Sequence, residues 1–466
     1  MNYDLLFSNS KKGKLELAII GVGGFNHSLF VYGVRNKRLS IRILCGRNIQ
    51  KCRDAYLSIG VNESDIMHCT DKQAGLKAFN EGKFLIFDNI PLAMEMPLDV
   101  VIEGTGNPEA AASYCLSAIE NKKNVVIVTK EADSVVGPLL AKKAREKGVI
   151  YSLAEGDQPS LLIGLVTWAR NAGLTILGIG KASEYDFIYD PTNSSVEVLG
   201  KTVVIPGFSD VWDLGDDFEA TVEKRSKMLH MFGQRAIPDL AEMAIVCNHL
   251  PEFNPDIEAF HYPVARTLEV PDLMCSKDRG GLFDGTMKID VYNCLRRFDE
   301  QSMEGGEFVV VACDDEETWQ VLKEKGVPVS RNGKAAMIYY PAHYLGFEAL
   351  YSVFSVGLLG LPTGSDNPTP RYDLVAKANR DMKAGTELKA VGHHHVIEGF
   401  DGILRPAKRI DENIQLPYYL ADGMKLKEDI SDGQLLTAEM LELPETDTML
   451  WSLRREQDGM FLQDEK

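Results

Sequence analysis

Two rhythms of apolar and polar positions alternate along the first third of the chain. Short apolar runs at Leu15–Ile20, Ser40–Cys45, Phe84–Phe87, Val100–Glu103, Asn124–Thr129 and Val149–Leu153 read as buried strands. Between them apolar residues recur at helical spacing, as in Ser28–Val34. The helix after Val100–Glu103 is the best marked: Asn107 can cap it, Pro108 fits its first position, and Glu109 suits its positive end. Alternation of this kind predicts a parallel sheet with helices on both faces. The expected fold is therefore α/β, with a Rossmann-type doubly wound domain over residues 1–155.

Beyond that point the pattern changes. Pro159–Ala172 reads as a helix with a large apolar face, Thr175–Gly180 and Phe308–Cys313 as strands, and Thr318–Lys325 as a short amphipathic helix. The mixture predicts an α+β substrate and dimerisation domain over residues 156–370. Thr363–Pro370, Thr-Gly-Ser-Asp-Asn-Pro-Thr-Pro, is a linker by composition. In residues 371–466 short strands alternate with glycine turns, and the phrases Arg380–Thr386 and Glu428–Gln434 echo each other. A small β-rich module with a polar tail is expected there, outside the chemistry.

The turn Gly21-Val22-Gly23-Gly24 stands between the first strand and the first helix. Glycines there let the backbone approach a pyrophosphate, and the helix N-terminus offers free N–H groups to it. The third glycine of the usual dinucleotide fingerprint is replaced by Asn26. The second strand ends at Cys45-Gly46-Arg47-Asn48, where a carboxylate would bind the ribose of NAD. Arg47 instead suits a 2′-phosphate, so NADPH is the expected cofactor, unless Arg47 is only a solvated loop residue.

At 466 residues the chain can bury a core for two or three domains. A formal charge of −18 argues against nucleic acid and anionic membranes as partners. The start of the chain lacks the apolar core of a signal peptide, and the uncharged run Ala349–Pro362 is too short to span a bilayer. The 8 cysteines form no CxxC pair, which suits reduced thiols in a cytoplasmic protein.

Candidate chemistry collects where these strands end. Gly104, Thr105 and Gly106 could let a nicotinamide ring pass close to backbone, or could simply start a helix. Lys130 could polarise a carbonyl or steady an alkoxide. Glu155 and Asp157, separated by one glycine, could turn toward one Mg²⁺ or Mn²⁺ ion. They could equally bind substrate hydroxyls without metal, or Asp157 could only cap the next helix. Lys181, Glu184 and Asp186 add charge after another apolar strand. His343 reads as a buried histidine or a pocket residue, and His393–His395 as a turn or interface tract rather than a metal site.

Val125–Glu131, with Gly104-Thr105-Gly106 ahead of it, resembles the nucleotide-binding domain of homoserine dehydrogenases. The run Lys130-Glu131-Ala132-Asp133 … Glu155-Gly156-Asp157-Gln158, with Pro341–Glu348, resembles more closely the DXR-like (DRL) family. Residues 376–442 resemble a SAF-type β-clip domain. The DRL resemblance implies an NADPH-dependent reductoisomerase of isoprenoid biosynthesis that converts 1-deoxy-D-xylulose 5-phosphate to 2-C-methyl-D-erythritol 4-phosphate. It implies Lys130 as the lysine after the fifth strand, Glu155 and Asp157 as metal ligands, and Lys130 with Lys181 as oxyanion stabilisers. Ordinary reductoisomerases carry Asp-Ser-Glu where this chain has Glu-Gly-Asp, and their tryptophan-bearing lid has no match here, Trp212 being only a candidate. The expected partners are a sugar or sugar-phosphate substrate and a second copy of the chain. The alternatives are a plain dehydrogenase of homoserine or a sugar acid, and a non-catalytic cofactor-binding sensor.

Overall fold

A computed structural model describes residues 1–8, 13–392 and 395–462. The first layer is a sheet of seven strands: β1 (Leu15–Ile20), β2 (Leu39–Cys45), β3 (Ile66–His68), β4 (Phe84–Phe87), β5 (Val100–Glu103), β6 (Asn124–Ile127) and β7 (Tyr151–Leu153). Their order is β3-β4-β2-β1-β5-β6-β7, and every pairing is parallel. The order reverses between β1 and β5, so the ligand crevice of such a sheet lies beyond the C-terminal ends of these two strands. The central strands β1, β5 and β6 are buried on both faces, which is why they read as apolar runs. β3 escaped the sequence reading because only Ile66 of its three residues is buried.

A second, mixed sheet carries β8 (Ile176–Ala182), β9 (Phe187–Asp190), β10 (Ser195–Val198), β11 (Lys201–Val204), β14 (Lys288–Arg296), β15 (Glu307–Ala312) and β16 (Ala335–Tyr340), with the short β12 (Asn254–Pro255) and β13 (Val264–Ala265) beside β14. β8 runs parallel to β14 and antiparallel to β15. It is buried over its whole length, and Gly180 makes this possible: a Cβ there would lie 1.9 Å from the Asp290 carbonyl oxygen. β14 was not anticipated, because Asp290 and Asn293 break its apolar pattern. Both are buried, with Asp290 accepting from the His261 backbone N–H at 3.0 Å and Asn293 donating to the Gln234 carbonyl at 3.0 Å.

The helix Ile237–His249 is buried at all 13 positions. It packs against the helices Lys130–Lys147 and Gln158–Asn171 and against the strand Tyr372–Ala378. It therefore joins the first sheet, the second sheet and the C-terminal segment.

In that segment Tyr372–Ala378 pairs antiparallel with Phe400–Pro406, and Ala390–Val391 and Lys425–Leu426 form two-residue pairs with Val396–Ile397 and Leu441–Glu442. The tail is not simply polar chain, because Met449–Phe461 is a helix that returns to the first domain. The backbone N–H groups of Met449 and Leu450 donate to the Glu109 carboxylate at 2.7 and 2.9 Å. Trp212 is no lid: it is 6% exposed, packs on Tyr189, and lies under the guanidinium groups of Arg266 and Arg297. All eight cysteines are unpaired, and no described helix is long and apolar enough to cross a membrane.

Candidate active site

The turn after β1 is built for close approach. The Gly21 N–H donates to the Cys45 carbonyl at 2.9 Å, and Gly21 has φ +84°. A Cβ on it would lie 2.7 Å from the Gly104 carbonyl oxygen. Gly23 and Gly24 open the helix Gly24–Gly33, and a Cβ on either would meet nothing within 4 Å. The helix start thus leaves room beside its glycines, where unpaired N–H groups of a first turn are available to an anion. Asn26 explains its own presence in the fingerprint: buried, its amide nitrogen donates to the Ile20 and Gly21 carbonyls at 3.1 and 2.8 Å. It also explains Gly104, where a Cβ would come within 2.5 Å of that nitrogen.

The loop after β5 is pinned from below. The Thr105 N–H and hydroxyl donate to Glu103 Oε1 at 2.8 and 2.6 Å, and the Gly106 N–H donates to the Thr129 hydroxyl at 3.0 Å. Burial pushes the Glu103 carboxyl above its usual range. Arg47 stands exposed just past the end of β2, and among the described residues it makes no hydrogen bond or ion pair.

Beside this crevice two lysines share one carboxylate. Lys130 opens the helix Lys130–Lys147 directly after β6, and Lys181 lies near the end of β8. Lys130 Nζ contacts Glu242 Oε1, and Lys181 Nζ contacts Glu242 Oε2. Lys181 also meets Asp239 Oδ1 at 2.8 Å and Glu184 Oε1 at 3.1 Å. Asp239 and Glu242 stand three residues apart on the Ile237–His249 helix, so one face presents both. The Ser183 and Tyr262 hydroxyls donate to Asp239 Oδ2 at 2.6 and 3.3 Å. The Gln158 amide nitrogen bridges Asp157 Oδ1 at 2.8 Å and Glu242 Oε1 at 3.1 Å.

Lys181, Asp239 and Glu242 are 0% exposed, whereas the Lys130 side chain is 18% exposed. Burial alone would lower both lysines. Glu242 and Asp157 around Lys130, and Asp239, Glu242 and Glu184 around Lys181, outweigh it and hold both ammonium groups above the ordinary range. Burial pushes Asp239 up to about 6 despite Lys181. Burial also raises Asp157, against the pull of Lys130.

The structure thus brings Lys130, Asp157 and Lys181 into one network. It does not bring Glu155 there. The Glu155 N–H donates to the Ser352 hydroxyl at 2.7 Å, and burial, then the Glu348 carboxylate, push its own carboxyl up to about 7. Asp157 caps the helix Gln158–Asn171 by accepting from the Gln158 N–H at 3.1 Å. His343 is half-buried, with Nδ1 3.1 Å from the Gly305 carbonyl oxygen, and its charge bears on Asp157. His393 and His394 lie outside the described residues.

Among the described residues, Glu184, Asp239 and Glu242 are the acidic group with the spacing of metal ligands, their oxygens all within 4.8 Å of one another. The Lys181 ammonium contacts all three. A buried cation of the protein's own already holds the position a divalent ion would take, so the triad does not fit one. Asp239 and Glu242 were missed in the sequence, although two acids one turn apart inside the apolar stretch Ile237–Val246 were a usable signal. Glu307 was missed as well. It sits opposite Lys181 on β15, fully buried, with no hydrogen bond to either oxygen among the described residues. Burial pushes its carboxyl well up despite Lys181.

No curated protein matches the chain in sequence. Among solved structures, a probable dehydrogenase from Thermotoga maritima aligns at 11% identity over 76% of this chain and 91% of its own, with a TM-score of 0.36. An oxidoreductase from Bacillus cereus aligns at 13% identity over 76% and 92%, with a TM-score of 0.33. For 1-deoxy-D-xylulose 5-phosphate reductoisomerase from Zymomonas mobilis the identity is 14%, the TM-score 0.29, and the coverage 50% of this chain and 57% of that one. Residues 156–349, which carry Asp157, Lys181, Asp239, Glu242 and His343, match the family model described as the catalytic domain of the oxidoreductase DRL.

Proposed function

We propose that the protein is an NADP-dependent oxidoreductase that interconverts a carbonyl and an alcohol on a small sugar-like substrate. One observation carries this. At the C-terminal edge of the first sheet, a lysine that follows β6 and a lysine of β8 meet on the carboxylate of Glu242. A sensor that only bound the cofactor would have no use for two ammonium groups costly to bury.

NADPH, when bound, would supply the hydride. The Gly21–Gly24 turn would take its pyrophosphate and Arg47 its 2′-phosphate, with Gly104, Thr105 and Gly106 beside the nicotinamide. Lys130, the partly exposed member of the pair, would donate a hydrogen bond to the substrate carbonyl. Its ammonium would stabilise the negative charge that develops on that oxygen during reduction. Lys130 would also carry the proton that completes the alcohol, with the Asp157 carboxylate close enough to act on its charge. Lys181, fully buried, does not reach substrate. It offsets part of the negative charge of Glu242, Asp239 and Glu184, and so lowers the cost of holding the Glu242 carboxylate beside Lys130.

The family match supports testing 1-deoxy-D-xylulose 5-phosphate as a substrate. The Lys181 ammonium within the carboxylate triad favours the second reading, a dehydrogenase of a sugar acid or homoserine without skeletal rearrangement. Purified protein is to be screened for NADPH oxidation with phosphorylated ketoses and aldehydes, and for NADP⁺ reduction with homoserine and sugar acids, each with EDTA or with Mn²⁺. Unrearranged product in EDTA supports the dehydrogenase reading. A branched, Mn²⁺-dependent product establishes the reductoisomerase, and no turnover in either direction with any of them counts against an enzyme of this type.

A further inference from the structure

From His395 onward the C-terminal segment lies beside the Gly106 loop and a large cavity. The His395 ring places Nε2 3.8 Å from where a Cβ on Gly106 would stand. Gly106 has φ +71° and belongs to the loop assigned above to the nicotinamide. The chain then runs on as Val396, Phe400 and Asp401 along a cavity of about 1160 Å³. The opposite wall carries Tyr185 and Tyr262, and Tyr262 donates to Asp239 in the lysine–carboxylate network. His395 and Tyr262 both adopt left-handed backbone conformations, with φ +48° and +46°. Such a conformation is uncommon outside glycine, more so for tyrosine than for histidine, and it is found repeatedly at ligand sites.

We propose that His395 is a cofactor-contacting residue: its imidazole covers the nicotinamide end of the crevice at Gly106, so the C-terminal segment completes the active site instead of standing apart from it. The proposal rests on the assignment of the crevice to NADP(H). It runs against the sequence expectation that the chemistry ends before residue 371. The cavity beyond Val396 then holds the substrate portion remote from the reacting carbon, between the C-terminal segment and Tyr262.

Histidine carbethoxylation of the full chain, read by peptide mass spectrometry with and without saturating NADPH, tests this. N-acetylhistidine added to the reaction serves as the internal reference. NADPH should slow modification of His395 at least fivefold and leave that of the reference unchanged. His395→Asn keeps a residue that tolerates left-handed backbone, so it isolates the imidazole. It should raise the dissociation constant for NADPH several-fold without changing the thermal midpoint. If NADPH fluorescence shows saturation but His395 is modified at an equal rate, or if His395→Asn binds NADPH as the wild type does, the proposal is overturned. If NADPH does not bind at all, the underlying assignment fails and takes this proposal with it.

Discussion

Arg47 is the residue to which the proposed preference for NADP(H) is assigned. Its guanidinium is exposed at the end of β2 and has no carboxylate to satisfy it among the described residues. Arg47→Ala should weaken NADP(H) binding by about 1–3 kcal/mol, the range of a charge-assisted hydrogen bond, and barely affect NAD(H). Equilibrium titration with both nucleotides checks this, and an unchanged NADP(H) constant removes Arg47 from the site. Lys181 has a different task. Its removal takes from the buried Asp239 its cation, while Glu242 keeps Lys130. Lys181→Met should destabilise the fold by about 3–5 kcal/mol in urea unfolding, as for other broken buried ion pairs. Lys130 and Lys181 were visible in the sequence because both follow apolar strands. The partnership of their carboxylates was not, because Glu242 lies 112 residues beyond Lys130 and 61 beyond Lys181, and only tertiary packing brings its helix between the two sheets.

At the scale of elements, the helix that begins with Lys130 contains Pro138. Proline has no N–H and its ring crowds the preceding turn, so regular helical hydrogen bonding fails around it. Gln457 of the C-terminal helix repairs the gap: its oxygen accepts from the Leu139 N–H at 3.1 Å and its nitrogen donates to the Val135 carbonyl at 2.8 Å. Gln457→Leu should therefore cost about 2–4 kcal/mol, since two buried backbone groups lose their partners. Thermal or urea unfolding would show it, and a loss below about 0.5 kcal/mol would mean that the helix satisfies itself. No local pattern could reveal this contact, which joins residues more than 300 positions apart. The strands of the first sheet were legible because parallel strands buried on both faces are apolar throughout. β14 was hidden because its buried Asp290 and Asn293 are satisfied by partners distant in sequence, which makes them look like surface residues.

At the scale of the whole molecule, the stretch read as a linker is tied down. The Thr363 N–H donates to the Ser152 hydroxyl at 2.9 Å, and the Ser365 N–H donates to His249 Nδ1 at 2.9 Å. His249 must be neutral to accept that bond, and burial lowers its pKa to about 4 from the model-compound 6.5. Below pH 6.5 the unfolded chain takes up a proton that the folded chain refuses until about pH 4. Stability from this histidine is thus complete above pH 6.5 and falls through that window as the pH drops, by at most ~1.4 kcal/mol per pH unit. Comparing urea unfolding of wild type and His249→Gln across the window should show the variant's slope smaller by up to one proton, and equal slopes would assign the titration elsewhere. Composition at Thr363–Pro370 announced a turn-rich connection correctly but said nothing of its anchoring, because hydrogen bonds to Ser152 and His249 leave no local trace.

The central claim is that the C-terminal edge of the seven-stranded sheet binds a phosphorylated dinucleotide beside Lys130. Titrating the full chain with NADPH and with NADH, followed by nucleotide fluorescence at moderate salt, tests it most directly. The account predicts saturable binding of one NADPH per chain, with NADH at least tenfold weaker. Tighter binding of NADH than NADPH would contradict the role of Arg47, and no saturable binding of either nucleotide would contradict the account as a whole.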